Sequence, residues 1–459
     1  MSDSTSNTHL LVYPFPGSSG HIIPLIDLTH LLLRRGLTVT VIISSDDLPL
    51  LEPLLNSYPS SLHKLLLSDP QISPSTHPLI GKVISTQKQF EPIVQWFKSH
   101  PSPPVAIISD FFLGWTSELA SLLGIRHVVF SPSGVLGYSI LHTLWRNIVE
   151  INAKNGDKDE NYLLSYPEIP SSPTFPWHQV PQMARDYKKG NNDFEDFRKW
   201  LLANMTSWGV IYNTYDELEG VYIDYMKKQM GHDRIWAVGP LLPYIDGPIA
   251  STTRGGSSVM APDKLFMWLD KKHDDSVVYI CFGSQVTLSE KQMSALTCAL
   301  ELSDVNFILC VKASGSSSIP SGFEDRVAGR GFIIKGWAPQ LAVLRHRAVG
   351  SFVTHCGWNS TLEGVAAGVM MLTWPSFADQ FADAKLLVDQ LGVGKRVCEG
   401  GPESVPDPAE LARLLDESLC ADIPERVRVK KLSQAATKAV KHGTSAQDMD
   451  MFVKLISEI

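Results

Sequence analysis

Cysteine is missing from the first 280 residues of this 459-residue chain. The cysteines that follow lie at wide, irregular intervals and form no C-x-x-C motif, at positions Cys281, Cys298, Cys310, Cys356, Cys398 and Cys420. This usage is typical of reduced thiols rather than of a disulfide framework. It predicts a cytoplasmic protein.

Long apolar runs and clusters of basic residues are also missing. No stretch reaches the ~18 uninterrupted apolar residues of a membrane span, and the N-terminal MSDSTSNTHLLVYPFPG lacks the basic region of a signal peptide. We therefore expect neither a transmembrane segment nor a leader. The net charge of -8, without any Lys/Arg-rich stretch, argues against a nucleic-acid partner.

The chain does contain two similar α/β openings, and its length suits two domains of roughly 200 residues each. The first opening has a strand at Leu10–Tyr13, the loop PGSSGH, a helix from about Ile23 to Arg35 and the strand LTVTVIIS. The second has the strand SVVYICFGSQ, a helix with the capping box Ser289–Gln292, and the strand VNFILCVK. Two doubly wound α/β domains are the prediction.

Three stretches lack periodicity. The Pro/Gly/Ser-rich segment Val238–Lys264 is predicted to be the interdomain linker, and Pro59–Pro78 and Asn152–Asn192 are predicted to be long loops. In the second half, polar clusters follow three short strands, at Gly336–Gln340, Thr354–Ser360 and Trp374–Gln380. Loops at the carboxyl ends of parallel strands form the ligand crevice of such sheets, so we expect these clusters on one edge.

The segment THCGWNSTLEG, Thr354–Gly364, allows three interpretations. A metal site or thiol nucleophile is disfavoured, because His355 and Cys356 are adjacent on an extended segment and point to opposite faces. Ser360 and Glu363 match a capping box that needs no ligand. The third interpretation is a phosphate site at a helix start, where free backbone N–H groups and the helix dipole attract an anion.

In the first half, His21 and Asp110 are the candidate catalytic residues. His21 precedes a predicted helix with Pro24 in its first turn, and the positive helix end favours the neutral ring that a general base requires. Asp110 ends an apolar strand at the same sheet edge, where a carboxylate orients such a base. The plainer alternatives are a histidine packed on its loop and an aspartate that caps a helix.

Two other functions and a metal site are further alternatives. GSSGH fails the G-x-G-x-x-G spacing, which disfavours an NAD(P)-dependent oxidoreductase. A catalytically silent nucleotide-sugar binding protein is disfavoured by His21 and Asp110. The D-x-D motif of Asp448 and Asp450 is predicted to be a solvated helix face, so we expect no metal ion.

The 44 residues Trp337–Gln380 resemble the secondary-product glycosyltransferase box of plant family 1 UDP-dependent glycosyltransferases. The resemblance extends to GHIIP, Asp110, YICFGS and VGPLLP. It implies a GT-B architecture, in which two doubly wound Rossmann-like domains face each other across a cleft. The implied activity is inverting transfer of a sugar from a UDP-sugar, as co-substrate, to a hydroxyl of a small hydrophobic acceptor such as a flavonoid, another phenolic or a terpenoid, without cofactor or metal.

The same resemblance assigns residues to roles. His21 would be the base and Asp110 its partner. The UDP-binding residues would be Ser284, Trp337 (on uracil), Ala338, Gln340, His355, Trp358, Asn359, Ser360 and Glu363 (on the ribose hydroxyls). The sugar-binding residues would be Trp358, Asp379 and Gln380. Aromatic candidates for the acceptor pocket, which core packing explains equally well, are Phe111, Phe112, Trp115, Tyr138, His142 and Trp145.

The expected domains are residues 1–245 for the acceptor, with the linker to about 262, and 262–440 for the nucleotide sugar, with a final helix at 441–459 that packs back on the first domain. The resemblance also implies UDP-glucose as the donor, because Gln380 matches a glutamine that tends to accompany this sugar in the family; UDP-rhamnose or another UDP-sugar is the alternative. The chain departs from the family pattern at Met370, where proline is usual. We expect a monomer.

Overall fold

The computed structural model describes residues 8–68, 72, 77–155, 159–243, 262–312 and 319–458. The chain divides into two compact units, residues 1–241 with 439–459, and residues 242–438. These divisions lie within a few residues of the boundaries predicted near 245 and 440. Most of the predicted linker Val238–Lys264 lies outside the described residues, and its last three residues, 262–264, already belong to a helix.

The first unit is built on a parallel sheet flanked by helices. Its strands are β1 (His9–Tyr13), β2 (Thr38–Ile43), β3 (Leu62–Leu66), β4 (Ala106–Asp110), β5 (Arg126–Ser131), β6 (Leu163–Ser165), β7 (Thr174–Pro176), β8 (Gly209–Tyr212) and β9 (Ile235–Ala237). Its helices as far as residue 241 are α1 (Ser19–Leu33), α2 (Leu48–Ser57), α3 (Pro78–Thr86), α4 (Phe90–Ser99), α5 (Thr116–Leu123), α6 (Val135–Arg146), α7 (Ile148–Lys154), α8 (Gln182–Arg185), α9 (Asn192–Ala203) and α10 (Asp216–Met230).

Within the described residues this sheet has the strand order β3-β2-β1-β4-β5-β8-β9, and every pairing in it is parallel. The central strands β1 and β4 are buried at every position, as expected for a parallel sheet covered on both faces. The chain order reverses between β1 and β4. That switch point is where the carboxyl ends of strands open a crevice. Asp110 is the last residue of β4, and His21 follows β1 in the first turn of α1.

Three predictions for this unit are wrong in detail. The first helix begins at Ser19 rather than near Ile23, so His21 lies within its first turn and Pro24 inside the helix. The stretch Pro59–Pro78 contains the edge strand β3, which is half exposed and therefore lacks an apolar signature. The stretch Asn152–Asn192 contains α8 and the antiparallel hairpin of β6 and β7, whose three-residue strands are too short to show periodicity.

The second unit repeats the design. Its strands are β10 (Val277–Cys281), β11 (Asn306–Val311), β12 (Gly331–Lys335), β13 (Val349–Thr354), β14 (Met370–Thr373) and β15 (Gly394–Arg396). Its helices are α11 (Pro262–Leu269), α12 (Glu290–Leu302), α13 (Phe323–Arg326), α14 (Gln340–Leu344), α15 (Trp358–Ala367), α16 (Gln380–Lys385), α17 (Pro408–Ser418) and α18 (Pro424–Lys441). Across the described residues the strands pair in parallel in the order β12-β11-β10-β13-β14-β15.

Local sequence signals explain several of these elements. The predicted capping box is confirmed, because the Ser289 hydroxyl accepts from the Gln292 amide and the Gln292 side chain accepts from the Ser289 amide. Met370 begins β14 and is fully buried in the core, so it fills a packing position where it departs from the family pattern. The polar clusters predicted to share one edge follow the carboxyl ends of β12, β13 and β14.

The last helix, α19 (Thr444–Ser457), belongs to the first unit and packs on β9. The ring of Phe452 meets Trp236 edge-on at 5.0 Å between centroids. The Asp448 carboxylate accepts from the Ala237 amide at 2.7 Å, and only Asp450 faces solvent, where it pairs with Arg35. The prediction that Asp448 lies on a solvated face is therefore wrong. Of the helices in the described residues, none is long and apolar enough to cross a membrane.

Candidate active site

His21 and Asp110 are hydrogen-bonded to each other. The His21 Nδ1 atom lies 2.7 Å from Asp110 Oδ2. The carboxylate is fully buried, while the imidazole side chain keeps 20% of its surface exposed. A proton on Nδ1 that is donated to the carboxylate leaves Nε2 as the ring's acceptor, which is the tautomer that a general base requires.

Asp110 also has the structural role that the sequence left as an alternative. Its Oδ1 accepts from the Phe112 amide at 2.9 Å and caps the 3-10 turn Phe111–Leu113. One oxygen therefore fixes the turn and the other orients the imidazole. The capping interpretation of this aspartate is confirmed, and the contact with His21 that the other interpretation requires is present.

Three phenylalanine rings surround the His21 imidazole. Phe112 stacks on it at 5.2 Å between centroids, and Phe15 and Phe111 lie at 5.5 and 5.9 Å. Phe111 and Phe112 were predicted as acceptor contacts, and the structure places both beside the candidate base. Phe15, which precedes the GSSGH loop, was missed by sequence reasoning. Its position two residues after β1, which ends at the switch point, is the sequence signal for it.

The other residues predicted for the acceptor pocket are buried in the first unit. Trp115 and Trp145 are fully buried and pack edge-on against Tyr13 and Phe197. Tyr138 meets Phe111 edge-on at 5.7 Å and so lies one ring away from His21. Burial, helped by Arg146, lowers the pKa of His142 to about 4, so this ring is neutral.

A small pocket lies at the same edge of the sheet. It is lined by Tyr13, Pro14, Pro16, Ile42, Ile43, Ser44, Asp47, Leu67 and Gln89. Asp47 Oδ2 accepts from the Gly17 amide at 2.7 Å and from the Ser44 hydroxyl at 3.0 Å, and Gln89 is hydrogen-bonded to Tyr13 and to the Ser68 carbonyl. Because these polar groups already have partners, we assign no ligand to the pocket.

In the second unit, the turn after β13 differs from the prediction. His355 and Cys356 do not continue the strand, since Cys356 has a left-handed backbone with φ of +64°. The helix α15 then starts at Trp358 with Gly357 as N-cap and without a capping side chain. The predicted capping box of Ser360 and Glu363 is wrong, because both residues lie inside α15 and their side chains have another partner.

That partner is Gln340. Its side-chain nitrogen Nε2 donates to Ser360 Oγ at 2.9 Å and to Glu363 Oε2 at 2.7 Å. Gln340 begins α14, which follows β12, so a tertiary contact between α14 and α15 sets the position of the buried Glu363 carboxylate. Sequence reasoning placed Gln340 near a ribose but gave no signal for this contact.

The His355 ring is wedged between two glycines. A Cβ on Gly283 would lie 2.6 Å from the ring carbon Cε1, and one on Gly357 would lie 2.5 Å from Nε2. Burial lowers the pKa of His355 to about 4, so the ring is neutral. Its Nδ1 is buried and has no hydrogen-bond partner among the described residues. With the N-terminus of α15, this ring is suited to an anion that brings its own hydrogen-bonding groups.

The remaining predicted donor residues lie at the same edge. Trp337 and Asn359 are half-buried, Ala338 and Trp358 are buried, and Ser284 is exposed directly after Gly283, whose φ is +69°. These positions follow the carboxyl ends of β10, β12 and β13, where a nucleotide binds in doubly wound folds.

Gln380 is held by the loop before it. Its side-chain oxygen accepts from the amides of Ser376 and Phe377 at 2.9 and 3.1 Å. This leaves the NH₂ group of the carboxamide to face a ligand, as a donor. Asp379 is half-buried and precedes α16. Among the described residues, no group of three or more His, Cys, Asp or Glu side chains is placed to hold a metal ion.

The fold and these residues are typical of enzymes that use a nucleotide-activated substrate, because each unit is Rossmann-like and a helix starts at the carboxyl edge of the second sheet, beside the buried and unpartnered His355 Nδ1. Residues 259–398 match the family profile described as "UDP-glucoronosyl and UDP-glucosyl transferase". The chain belongs to this family, the plant family 1 UDP-glycosyltransferases, and is therefore an enzyme rather than a silent binding protein or an oxidoreductase.

Individual relatives support this membership. Flavonol 3-O-glucosyltransferase UGT89B1 of Arabidopsis thaliana is 44% identical, covering 98% of this chain and 96% of its own. The crystal structure of Arabidopsis thaliana UGT89C1 complexed with UDP-L-rhamnose is 34% identical with a TM-score of 0.80, covering 99% and 100% of the two chains. Medicago truncatula UGT71G1 complexed with UDP-glucose is 28% identical with a TM-score of 0.86, covering both chains fully. The predicted GT-B fold is confirmed.

Proposed function

We propose that this enzyme transfers glucose from UDP-glucose to a hydroxyl of a flavonol or another small hydrophobic phenol or terpenoid, with inversion at the anomeric carbon. The observation that carries the proposal is the hydrogen bond of 2.7 Å between His21 Nδ1 and the buried Asp110 carboxylate. It fixes the imidazole so that Nε2 accepts a proton. The glucosyl activity in the name of UGT89B1 and the UDP-glucose in the UGT71G1 complex support the choice of sugar.

In this mechanism His21 Nε2 takes the proton of the acceptor hydroxyl. The hydroxyl oxygen forms a bond to the anomeric carbon while the bond from that carbon to the β-phosphate oxygen breaks, and UDP leaves with the electron pair. The buried Asp110 carboxylate stabilises the imidazolium that forms. No proton has to pass through the aspartate, because its two oxygens remain acceptors of the His21 and Phe112 N–H groups.

Residues of the second unit hold the donor. The amides at the start of α15 and the neutral His355 ring bind the diphosphate, Trp337 stacks on the uracil, and Glu363 accepts from the ribose hydroxyls. The NH₂ group of Gln380 donates to a sugar hydroxyl. Because the helix start supplies positive potential, we propose that no metal ion is required.

A second donor is UDP-rhamnose, which the 34% identical UGT89C1 binds in its crystal structure. The NH₂ group of Gln380 donates equally well to hydroxyls that either sugar carries, so the residue does not separate the two. Cytoplasmic location and a monomeric state complete the proposal, and the free state of all six cysteines supports the location.

The test is a donor-by-acceptor matrix of UDP-glucose and UDP-rhamnose against flavonols, hydroxybenzoates and terpenoid alcohols, with and without EDTA. We expect UDP release that EDTA does not change, and NMR should show a β-glucoside from the α-linked donor. His21→Ala should lower kcat about 10²- to 10⁴-fold, because base catalysis is lost. The matched control is the exposed His178→Ala. Full turnover by His21→Ala would disprove the base assignment.

A further inference from the structure

A lysine ammonium lies against the loop that carries His21. Lys82, in α3, places its Nζ 5.5 Å from the centroid of the Phe15 ring. A Cβ on Gly17 would lie only 2.5 Å from the same nitrogen, so the glycine leaves the space that the ammonium occupies. The cation is therefore held beside the aromatic wall of the candidate base.

The described residues provide no counter-ion for this cation. Within the described ranges, Lys82 forms neither an ion pair nor a hydrogen bond, and its side chain is half-buried. The two carboxylates that hold this edge have other partners, since Asp47 accepts from the Gly17 amide and the Ser44 hydroxyl, and Asp110 accepts from His21 and Phe112. A half-buried ammonium that faces an aromatic ring attracts an anion more strongly than one in bulk water.

The distances suit a small acceptor. The Lys82 Nζ and the His21 ring are each 5.5 Å from the Phe15 ring centroid, so they lie no more than twice that distance apart. A hydroxy acid built on one aromatic ring spans such a distance, with its hydroxyl at His21 and its carboxylate at Lys82. The flexible lysine stem allows the ammonium to adjust to the position of that carboxylate.

We infer that Lys82 determines acceptor specificity by binding an acidic group of the acceptor, so that hydroxy acids are preferred over their neutral analogues. The inference rests on the proposed function, because it concerns the acceptor of the same transfer reaction. Lys82 binds the non-reacting end of the acceptor, and His21 takes the proton at the reacting end. Phe15 packs against the ring between them.

The experiment compares 4-hydroxybenzoate with its methyl ester as acceptors at pH 7, where the acid is ionised. The enzymes are the wild type, Lys82→Met, Lys82→Arg and the exposed neighbour Lys88→Met as matched control. We expect Lys82→Met to lower kcat/KM for the acid about ten- to hundredfold, mainly through KM, as loss of one charge-assisted hydrogen bond requires. The ester should be unaffected, Lys82→Arg should restore most of the loss, and Lys88→Met should behave as wild type.

Two outcomes would overturn the inference. An equal fall for the acid and the ester means that Lys82 only supports the loop through Phe15, and no fall for either means that the acceptor does not reach the ammonium. If the wild type transfers no sugar to any acceptor, the proposed function fails separately. Calorimetric titration of both compounds then tests the role of Lys82. A binding preference for the acid that disappears in Lys82→Met supports the inference, and a preference that persists in this variant contradicts it.

Discussion

Asp110 supports two structures with its two carboxylate oxygens. Oδ2 orients the His21 ring, and Oδ1 holds the turn that carries Phe111 and Phe112 beside that ring. Replacing one oxygen by an NH₂ group therefore forces a conflict. The amide either presents its NH₂ group to the Phe112 N–H or donates to His21 Nδ1, which moves the ring proton to Nε2 and removes the acceptor that a base needs.

Asp110→Asn should accordingly lower kcat about 10²- to 10⁴-fold while KM for UDP-glucose stays close to the wild-type value. Steady-state kinetics with a flavonol acceptor measure both parameters. Asp46→Asn is the control, since it makes the same change at an exposed position of the same unit. Wild-type kcat in Asp110→Asn would show that the negative charge has no part in proton transfer.

Among contacts between individual residues, some could be predicted from the sequence and others could not. His21 and Asp110 are predictable as neighbours because one follows and the other ends a parallel strand at the switch point, and parallel strands share their carboxyl edge. The contact of Gln340 with Ser360 and Glu363 is not predictable, because it joins α14 and α15, which follow two strands that are not adjacent in the sheet. Lys82 was missed for the same reason, since nothing local ties α3 to the loop at Gly17.

The start of a helix is predictable from the sequence only where its cap is a local signal. α12 begins with the predicted capping box, which is a purely local signal. Neither α1 nor α15 begins with a capping side chain, so their first residues were placed wrongly. α6 is a third case, because Gly134 is its N-cap and the acceptor for its first amides comes from another helix.

That acceptor is Glu219 of α10, which is 1% exposed. Its two carboxylate oxygens accept from the amides of Val135 and Leu136, both at 2.9 Å. The carboxylate also complements the positive end of α6. The orientation of α6, which carries Tyr138 and His142, therefore depends on a residue 84 positions away in sequence.

Glu219→Ala should destabilise the first unit by about 1–3 kcal/mol, because two buried amides lose their acceptor. Glu219→Gln keeps one oxygen, so the free energy of unfolding of this variant should lie between those of Glu219→Ala and the wild type. The midpoint of thermal unfolding should drop by roughly 2–4 °C per kcal/mol for a unit of this size. The exposed Glu217→Ala, in the same turn of α10, is the control and should leave the midpoint unchanged. Equal midpoints for Glu217→Ala and Glu219→Ala would contradict the capping role.

The last helix, α19, completes the core of the first unit although it comes last in the sequence. The chain leaves the first unit at residue 241 and rejoins it at residue 439, so α19 packs on β9 only after the second unit has been completed. Met449, Phe452 and Ile456 are buried in the core of the first unit. The resemblance to the family predicted this return, whereas the pattern of the helix alone did not identify its partner.

The pH dependence of this docking follows from Asp448. Burial raises its pKa to about 6, although the hydrogen bond from the Ala237 amide acts in the opposite direction. Since the pKa in the unfolded chain is about 3.9, the folded state favours the protonated carboxyl. The stabilising contribution is complete below about pH 4 and is lost as the pH rises through 6.

Asp448→Asn keeps an oxygen that accepts from the Ala237 amide and removes the buried charge. We expect the variant to unfold at a higher temperature than the wild type at pH 7.5, and the difference to shrink as the pH falls toward 4. Thermal unfolding followed at several pH values measures this. Asp450→Asn is the matched control, because that carboxylate is exposed and pairs with Arg35, so its effect should be small and should not follow the same pH window. An Asp448→Asn effect that stays constant from pH 4 to 7.5 would show that the carboxylate is not destabilised by its burial against β9.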